Sequence, residues 1–399
     1  MTQLSKLAQT LPASPIRKLL PFSEAAKSRG VHVYHLNIGQ PDVPAPESAL
    51  KAIRDNNLKL IAYSHSAGNL SYRKKLVKYY QEHKIDINEN QIIITAGGSE
   101  ALLFAFLTCL DAGDEVIVFE PYYANYTSFG LITGVKTVAI TTSIETGFAL
   151  PKMEEIEKLV TPKTKAILIS NPANPTGSLY SDADMKELVK IIKKYDLYLF
   201  SDEVYREFCY EEQGVPSALH YKEIENNVIL LDSVSKRYSA CGVRTGMFIT
   251  KNSEVYAAAM KLAQARLSSP SYGQLFGEAA CDTLDSYFEE VKDEYIRRRD
   301  VVVAAINKMR GCFCPTPKGA FYIVARLPID DSDRFCQWLL EEFQYEKQTV
   351  MFAPATGFYA TEGLGKDEVR ISYVLNVNDL HKAMKCLEEA LKIYPGRTN

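Results

Sequence analysis

The sequence predicts an α/β fold: a mostly parallel sheet sandwiched by helices, followed by a smaller α+β unit. Three observations carry this. From about residue 90, short apolar, β-branched runs alternate with helical patterns. Polar, glycine-rich punctuation falls at the ends of those runs. The chain has 399 residues, more than one hydrophobic core usually organises, so two domains are expected.

The runs QIIIT (91–95), VIVF (116–119), KAILIS (165–170), LYLFSD (197–202), VILLDS (228–233) and GMFIT (246–250) read as strands. Their near-continuous apolar character suits strands covered on both faces. SEALLFAFLTCL (99–110) and DADMKELVKIIKKY (182–195) read as helices between them, which implies a mostly parallel sheet with helices on both sides. Residues 285–309 form one long helical pattern with a heavily charged middle, EEVKDEYIRRRD, of the kind that bridges domains. Beyond it, GAFYIVARL (319–327), RFCQWLLEEF (334–343), TVMFAP (349–354) and VRISYVL (369–375) alternate between strand and helix. A last amphipathic helix runs from about Asn378 to Lys392.

Composition narrows the function classes. Hydrophobic residues make up 46% and charged residues 24%, with a net charge of -3, which gives no basic face for nucleic acid. No apolar run approaches the roughly 20 residues that span a bilayer. MTQLSKLAQTLPASPIRKLL lacks the apolar centre of a secretion signal, so a cytoplasmic setting is expected. The eight cysteines are scattered without a CxxC pair and read as reduced thiols. The six histidines form no ligand cluster, His32 and His35 included, and no metal site is expected.

In open α/β sheets ligands bind beyond the carboxyl ends of the strands. Here AGGSE (96–100), EPYY (120–123), NPANPTG (171–177), DEVYREF (202–208) and SVSKRYSACGVRTG (233–246) all fall at such ends, which implies one shared cleft. AGGSE opens a helix, where free amides face an anion; it also reads as a tight turn with Ser99 as the cap. Ser233, Ser235 and Arg244 could surround the same anion, since a guanidinium fork suits phosphate, although a lone arginine is usually surface charge. Lys236 follows a strand end beside a second cation, where an amine loses its proton more readily; the ordinary reading is a solvated lysine. Asp202 ends the apolar LYLF run and needs a partner, either a cap or salt bridge or a protonated heterocyclic nitrogen. NPANPTG is plausible as turn chemistry and also as a rigid way of aiming amide side chains.

As a set, in this order and spacing, NPANPTG, SDEVY and SVSKRYSACGVRTG resemble the class I aminotransferases of fold type I, the aspartate-aminotransferase-like superfamily. The resemblance runs from NIGQPD (37–42) to VRISYV (369–374). It implies a seven-stranded sheet in a large cofactor-binding domain over residues 46–295, and a small substrate-closing domain built from 1–45 and 296–399. It also implies pyridoxal 5'-phosphate as cofactor. Lys236 then resembles the Schiff-base lysine and proton shuttle, and Asp202 the partner of the pyridine nitrogen. Asn174 and Tyr205 match residues that hydrogen-bond the cofactor's phenolic oxygen, and Tyr123 the aromatic that stacks on its ring. Gly98, Ser99, Ser233, Ser235 and Arg244 fall in the phosphate cradle. Arg370 resembles the arginine that grips the substrate α-carboxylate, with Asn174 and the Gly39 loop beside it. Tyr63 matches a tyrosine that reaches the phosphate in the neighbouring subunit, which would make a homodimer necessary for function; alone, it reads as a packing residue.

The implied reaction is amino transfer between an L-amino acid, foremost aspartate, and a 2-keto acid, foremost 2-oxoglutarate. The same fold hosts transaminases for aromatic or neutral amino acids and C–S lyases, which remain alternatives. One departure bears on this choice. The phosphate loop reads GGSE, where one aspartate-aminotransferase branch has a lysine at the position of Ser99, so a dicarboxylic substrate needs another cation. Arg266, in QARLSSPSYGQ (264–274), is the candidate, reaching into the partner's site; the other reading is a helix-end arginine paired locally.

Overall fold

A computed structural model describes residues 3–398. Twelve strands are described: β1 His32–His35, β2 Ile92–Thr95, β3 Glu115–Glu120, β4 Lys136–Thr141, β5 Thr164–Ser170, β6 Tyr198–Asp202, β7 Val228–Ser233, β8 Gly246–Ile249, β9 Tyr322–Arg326, β10 Gln348–Met351, β11 Ala353–Pro354 and β12 Glu368–Ser372. Seven of them form the central sheet in the order β2-β8-β7-β6-β5-β3-β4. The pairs β3–β4, β3–β5, β5–β6 and β6–β7 are parallel, while β8 is antiparallel to both β2 and β7. The carboxyl ends of β2, β3, β5, β6 and β7 therefore share one edge.

The central strands are buried along most of their length because helices cover both faces. Gly98–Cys109 packs over β7 and β8, and Asp182–Tyr195 closes the other side with Met185, Leu188 and Ile192 fully buried. Both crossover helices fall where the pattern places them. β4 is the strand that the apolar runs leave out. It is the sheet edge, its middle is half-exposed and both ends are exposed, so KTVAIT lacks the continuous apolar run of its neighbours.

The second unit is a three-stranded antiparallel sheet, β11-β12-β9, beside the two-stranded parallel pair β1–β10. TVMFAP does not form one strand. It is divided between β10 and β11, which belong to different sheets. β1 was not expected as a strand; HVYH joins the second unit through register pairs from His32–Gln348 to His35–Met351. The long helix Asp285–Lys308 and the terminal helix Val377–Ile393 pack together over this unit, and their apolar faces share its core with Phe321, Ile323 and Ile371. Among the described residues, no helix is long and apolar enough to cross a membrane.

Candidate active site

The shared edge of the central sheet opens into a cavity of about 500 Å³ between the two units. Twelve of the residues singled out from the sequence line it: Gly39, Gly98, Ser99, Tyr123, Asn174, Asp202, Tyr205, Ser233, Ser235, Lys236, Arg244 and Arg370. They arrive from seven separate stretches of chain, so the cleft inferred from strand-end punctuation is a physical one.

At the floor, Asp202 ends β6 with its carboxylate buried. Its Oδ2 accepts a hydrogen bond from Tyr126 Oη at 2.7 Å, and the Val204 amide approaches Oδ1 at 3.4 Å. No cation pairs with it among the described residues. Burial pushes its carboxyl up to about 6, against those two hydrogen bonds. Tyr205, three residues further on in the turn after β6, shares a hydrogen bond of 2.8 Å with Tyr322 Oη. Burial holds the Tyr205 phenol well above its ordinary range. Tyr123 receives a hydrogen bond from Asn125 Nδ2 at 2.9 Å and meets Tyr126 edge-on at 5.5 Å. Burial pushes its phenol up to about 12, against the charges of Arg370 and Arg17.

One wall is an anion cradle. Gly97, at φ +86°, starts the helix Gly98–Cys109 without a side-chain cap, so the first amides of that helix are left for a ligand. Gly246 lies between Thr95 and Ser233 in the sheet, and a Cβ there would come within 2.4 Å of the Gly97 carbonyl carbon. A side chain at Gly97 would in turn strike the Arg244 guanidinium at 2.5 Å. Both glycines are thus required for the close approach of strand, helix start and arginine. Arg244 itself sits at φ +54°, its guanidinium held by the carbonyls of Cys241 at 3.0 Å and Ala96 at 3.3 Å. Ser233 Oγ donates to the Thr245 carbonyl at 2.9 Å and caps the short helix Val234–Arg237 by accepting from the Ser235 amide at 3.1 Å.

That short helix presents Lys236 to the cavity, where Nζ donates to the Gly39 carbonyl at 2.7 Å and lies 3.8 Å from Cys241 Sγ. Its neighbours turn the other way. Arg237 pairs with Asp232 behind the sheet edge, and Arg206 joins Glu203 at 2.6 Å and Asp232 at 3.3 Å. Tyr80 Oη donates to the same Asp232 at 2.6 Å. Each cavity-facing group, Asp202, Tyr205, Ser233 and Lys236, is therefore flanked in sequence by a member of a buried charge network. Apart from Arg206 Nε, which has no partner, the charges of this network are paired, and it resists local rearrangement.

The opposite wall belongs to the second unit. Arg370, on β12, is 1% exposed. It donates to Asn174 Oδ1 at 3.2 Å and to the Asn37 carbonyl, and it lies over the Tyr322 ring at 4.7 Å and the Phe358 ring at 4.9 Å. Its Nε has no partner. Burial lowers its pKa, the mark of a guanidinium held out of water without an anion. Gly39 passes so close to Tyr322 that a Cβ would overlap the phenol oxygen at 1.7 Å.

Two residues singled out from the sequence lie elsewhere. Tyr63 is 78% exposed on the segment between two helices and does not line the cavity of its own chain. Arg266 is the C-cap of Ser253–Ala265; it donates to the carbonyls of Ile94 at 3.1 Å and Ser66 at 3.3 Å, and faces Glu100 at 3.6 Å. It does not line the cavity of its own chain; Nη2 makes both hydrogen bonds, while its buried Nε and Nη1 have no hydrogen-bond partner. Conversely, Tyr126, Tyr322, Asn37 and Arg17 belong to the site without having been singled out. Tyr322 sits inside an apolar strand pattern and Tyr126 in the first turn of the helix Asn125–Thr133, and only the fold brings their hydroxyls to Tyr205 and Asp202. Asn37 stands in NIGQPD, and Arg17 in the SPIRKL segment carries no sequence signal beyond its charge.

An uncapped helix start beside an arginine, a buried acid without a cation, an amine and a buried arginine thus face one cavity. The family model "Aminotransferase class I and II" matches residues 31–387, so the chain belongs to that family. It is 34% identical over 392 residues to an aspartate aminotransferase of Pyrococcus horikoshii, covering 95% of each chain. Among solved structures it resembles an aspartate aminotransferase from Thermus thermophilus with maleate, at a TM-score of 0.89 and 27% identity, over 98% of this chain and 100% of that one. An alanine aminotransferase from Pyrococcus furiosus matches with the same TM-score at 29% identity, over 98% of this chain and 100% of that one. The protein is an aminotransferase, transferring an amino group between an amino acid and a keto acid.

Proposed function

We propose that the protein is a pyridoxal-phosphate-dependent transaminase that takes aspartate as amino donor and 2-oxoglutarate as acceptor. The observation that carries this is the joint placement of Lys236, Asp202 and Arg370 around one cavity with a phosphate cradle on its wall. The residues present fit the cofactor. Asp202 is a buried acid awaiting a cation, Arg370 Nε is a buried donor awaiting an anion, and Gly97 and Gly246 clear the cradle of side chains.

Bound pyridoxal phosphate supplies a carbonyl to carry the amino group and an electron-withdrawing ring beside the substrate α-carbon. The amides of Gly98 and Ser99 with Ser233, Ser235 and Arg244 would hold its phosphate. Asp202 would keep a proton on the ring nitrogen. Asn174 and Tyr205 would donate to the phenolic oxygen, and Tyr123 would cover the ring. Arg370 and the Gly39 loop hold the substrate α-carboxylate, which fixes the α-hydrogen relative to Lys236. Lys236 Nζ then accepts that proton as general base. The tyrosine-rich walls exclude water while this happens.

We assign residues 46–295 to the cofactor-binding domain and 1–45 with 296–399 to a domain that closes over substrate; the pairing of β1 with β10 supports joining the two ends of the chain. The active form is a homodimer in the cytoplasm. Leu60 at 76% exposed and Tyr63 at 78% form an apolar stretch that suits burial against a second copy, from which Tyr63 reaches the partner's phosphate site. The test is a panel of amino donors with 2-oxoglutarate and the cofactor-loaded protein. Aspartate is expected to give the highest kcat/KM. A preference for phenylalanine or alanine overturns the donor assignment, and ammonia with pyruvate from a thioether substrate overturns amino transfer.

A further inference from the structure

The cavity has more positive charge than the roles above employ. Four cations line it, Arg17, Lys236, Arg244 and Arg370, against the single acid Asp202. Phosphate accounts for Arg244, the α-carboxylate for Arg370, and Lys236 acts on the α-carbon. Arg17 is left. Its backbone is fixed, with the amide bonded to Ser14 O at 3.1 Å and the carbonyl to Leu20 N at 3.0 Å. Among the described residues, however, nothing accepts a hydrogen bond from its exposed guanidinium.

The segment that carries it is anchored on either side. Lys18 pairs with Asp333, and Ile16 packs against Ala124, Ala353 and Phe358. Two routes then tie Arg17 to Arg370. The Ile16 carbonyl accepts from Asn37 Nδ2 at 2.9 Å, and the Asn37 carbonyl accepts from Arg370. Phe358, which Ile16 touches, also lies 4.9 Å beneath the Arg370 guanidinium. Both guanidinium groups therefore rise from one ledge of the second unit, opposite the phosphate cradle. An amino acid held by its α-carboxylate at Arg370 extends its side chain from that ledge.

We propose that Arg17 is the specificity-determining cation of this enzyme and holds the distal carboxylate of a dicarboxylic substrate. The inference rests on the aspartate reading above and supplies the cation that Ser99 cannot. A guanidinium fork suits a terminal carboxylate, and a solvated, unpartnered arginine gives up only water to form the pair. An alanine side chain reaches nothing at Arg17, so the residue separates donors rather than serving all of them.

The test is Arg17→Leu and Arg17→Lys, each cofactor-loaded, assayed with aspartate and alanine. Losing a charge-assisted contact to substrate is worth on the order of a hundredfold in kcat/KM. The aspartate-to-alanine ratio of kcat/KM is expected to fall about that far in Arg17→Leu and less in Arg17→Lys. Binding of unreactive maleate, followed by calorimetry, is expected to weaken while binding of acetate does not. Equal losses for both donors, or no loss, overturn the role of Arg17 while leaving the donor assignment intact. A wild-type enzyme that does not accept aspartate or glutamate overturns both.

Discussion

Replacing Asp202 with asparagine is expected to stabilise the cofactor-free protein while disabling the enzyme. Without the cofactor, Asp202 is a buried carboxyl with no cationic partner, raised from an ordinary 3.8 to about 6. At about 1.36 kcal/mol per pH unit, ionising it in the folded state costs roughly 3 kcal/mol. The folded state binds the proton more tightly than the unfolded chain. Stability therefore falls as pH rises from about 4 to about 6, and stays at the lower value above that. Asparagine has no charge to bury and keeps one oxygen to accept from Tyr126. Urea unfolding of the two cofactor-free proteins, at equal concentration and across pH 4 to 8, reads the difference. The variant is expected to match the wild type near pH 4 and to be more stable by about 3 kcal/mol at pH 8. With cofactor bound, the order reverses: the wild type gains a partner for its carboxylate, and the variant loses cofactor affinity and α-proton removal. A variant equally or less stable than the wild type at pH 8, or a wild-type stability that rises between pH 4 and 6 relative to the variant, refutes this account of Asp202.

Three further outcomes are expected. Borohydride treatment of the cofactor-loaded protein followed by peptide mapping should place the cofactor on Lys236, and Lys236→Ala should lose multiple turnover; cofactor trapped on another lysine reassigns the base. Arg370→Ala should lower kcat/KM by a hundredfold or more for every α-amino acid, because the contact removed is to the shared carboxylate; a loss confined to acidic donors would move Arg370 to the distal end. Lys236→Ala and Tyr63→Ala proteins, unfolded and refolded together, should recover about a quarter of wild-type activity, since half the dimers are mixed and one site in each then pairs an intact Lys236 with the partner subunit's Tyr63. No recovery on mixing rules out a shared site.

The central sheet was legible in the sequence because strands covered on both faces must be apolar along their whole length. VILLDS and Val228–Ser233 coincide residue for residue. β4 escaped for the converse reason: an edge strand with exposed ends needs no such run. The direction of β8 was equally hidden, since GMFIT reads the same either way along the sheet. β10 and β11 read as one strand because a chain passing from one sheet to another through buried Phe352 keeps its apolar pattern. In the site, most residues found lie at strand ends, where a polar or glycine-rich motif interrupts an apolar one; Arg370, within β12, was reached through the family resemblance alone. Tyr322 was invisible because an aromatic residue within an apolar run reads as packing, and Tyr126 because nothing in ANYTSFG marks it as the partner of a distant carboxylate. Their hydrogen bonds to Tyr205 and Asp202 exist only across long sequence separations. Arg17 was invisible because nothing local distinguishes an arginine that faces a cavity from one that faces water.

The most direct test of the central claim is a single half-reaction. The cofactor-loaded enzyme is mixed with aspartate in the absence of any keto acid, and oxaloacetate, ammonia and bound amino groups are counted. An aminotransferase built as described releases about one oxaloacetate per subunit and no ammonia, then stops; added 2-oxoglutarate releases about one glutamate per subunit and restores the starting enzyme. Continued turnover without a keto acid, or ammonia released in proportion to substrate consumed, would contradict it.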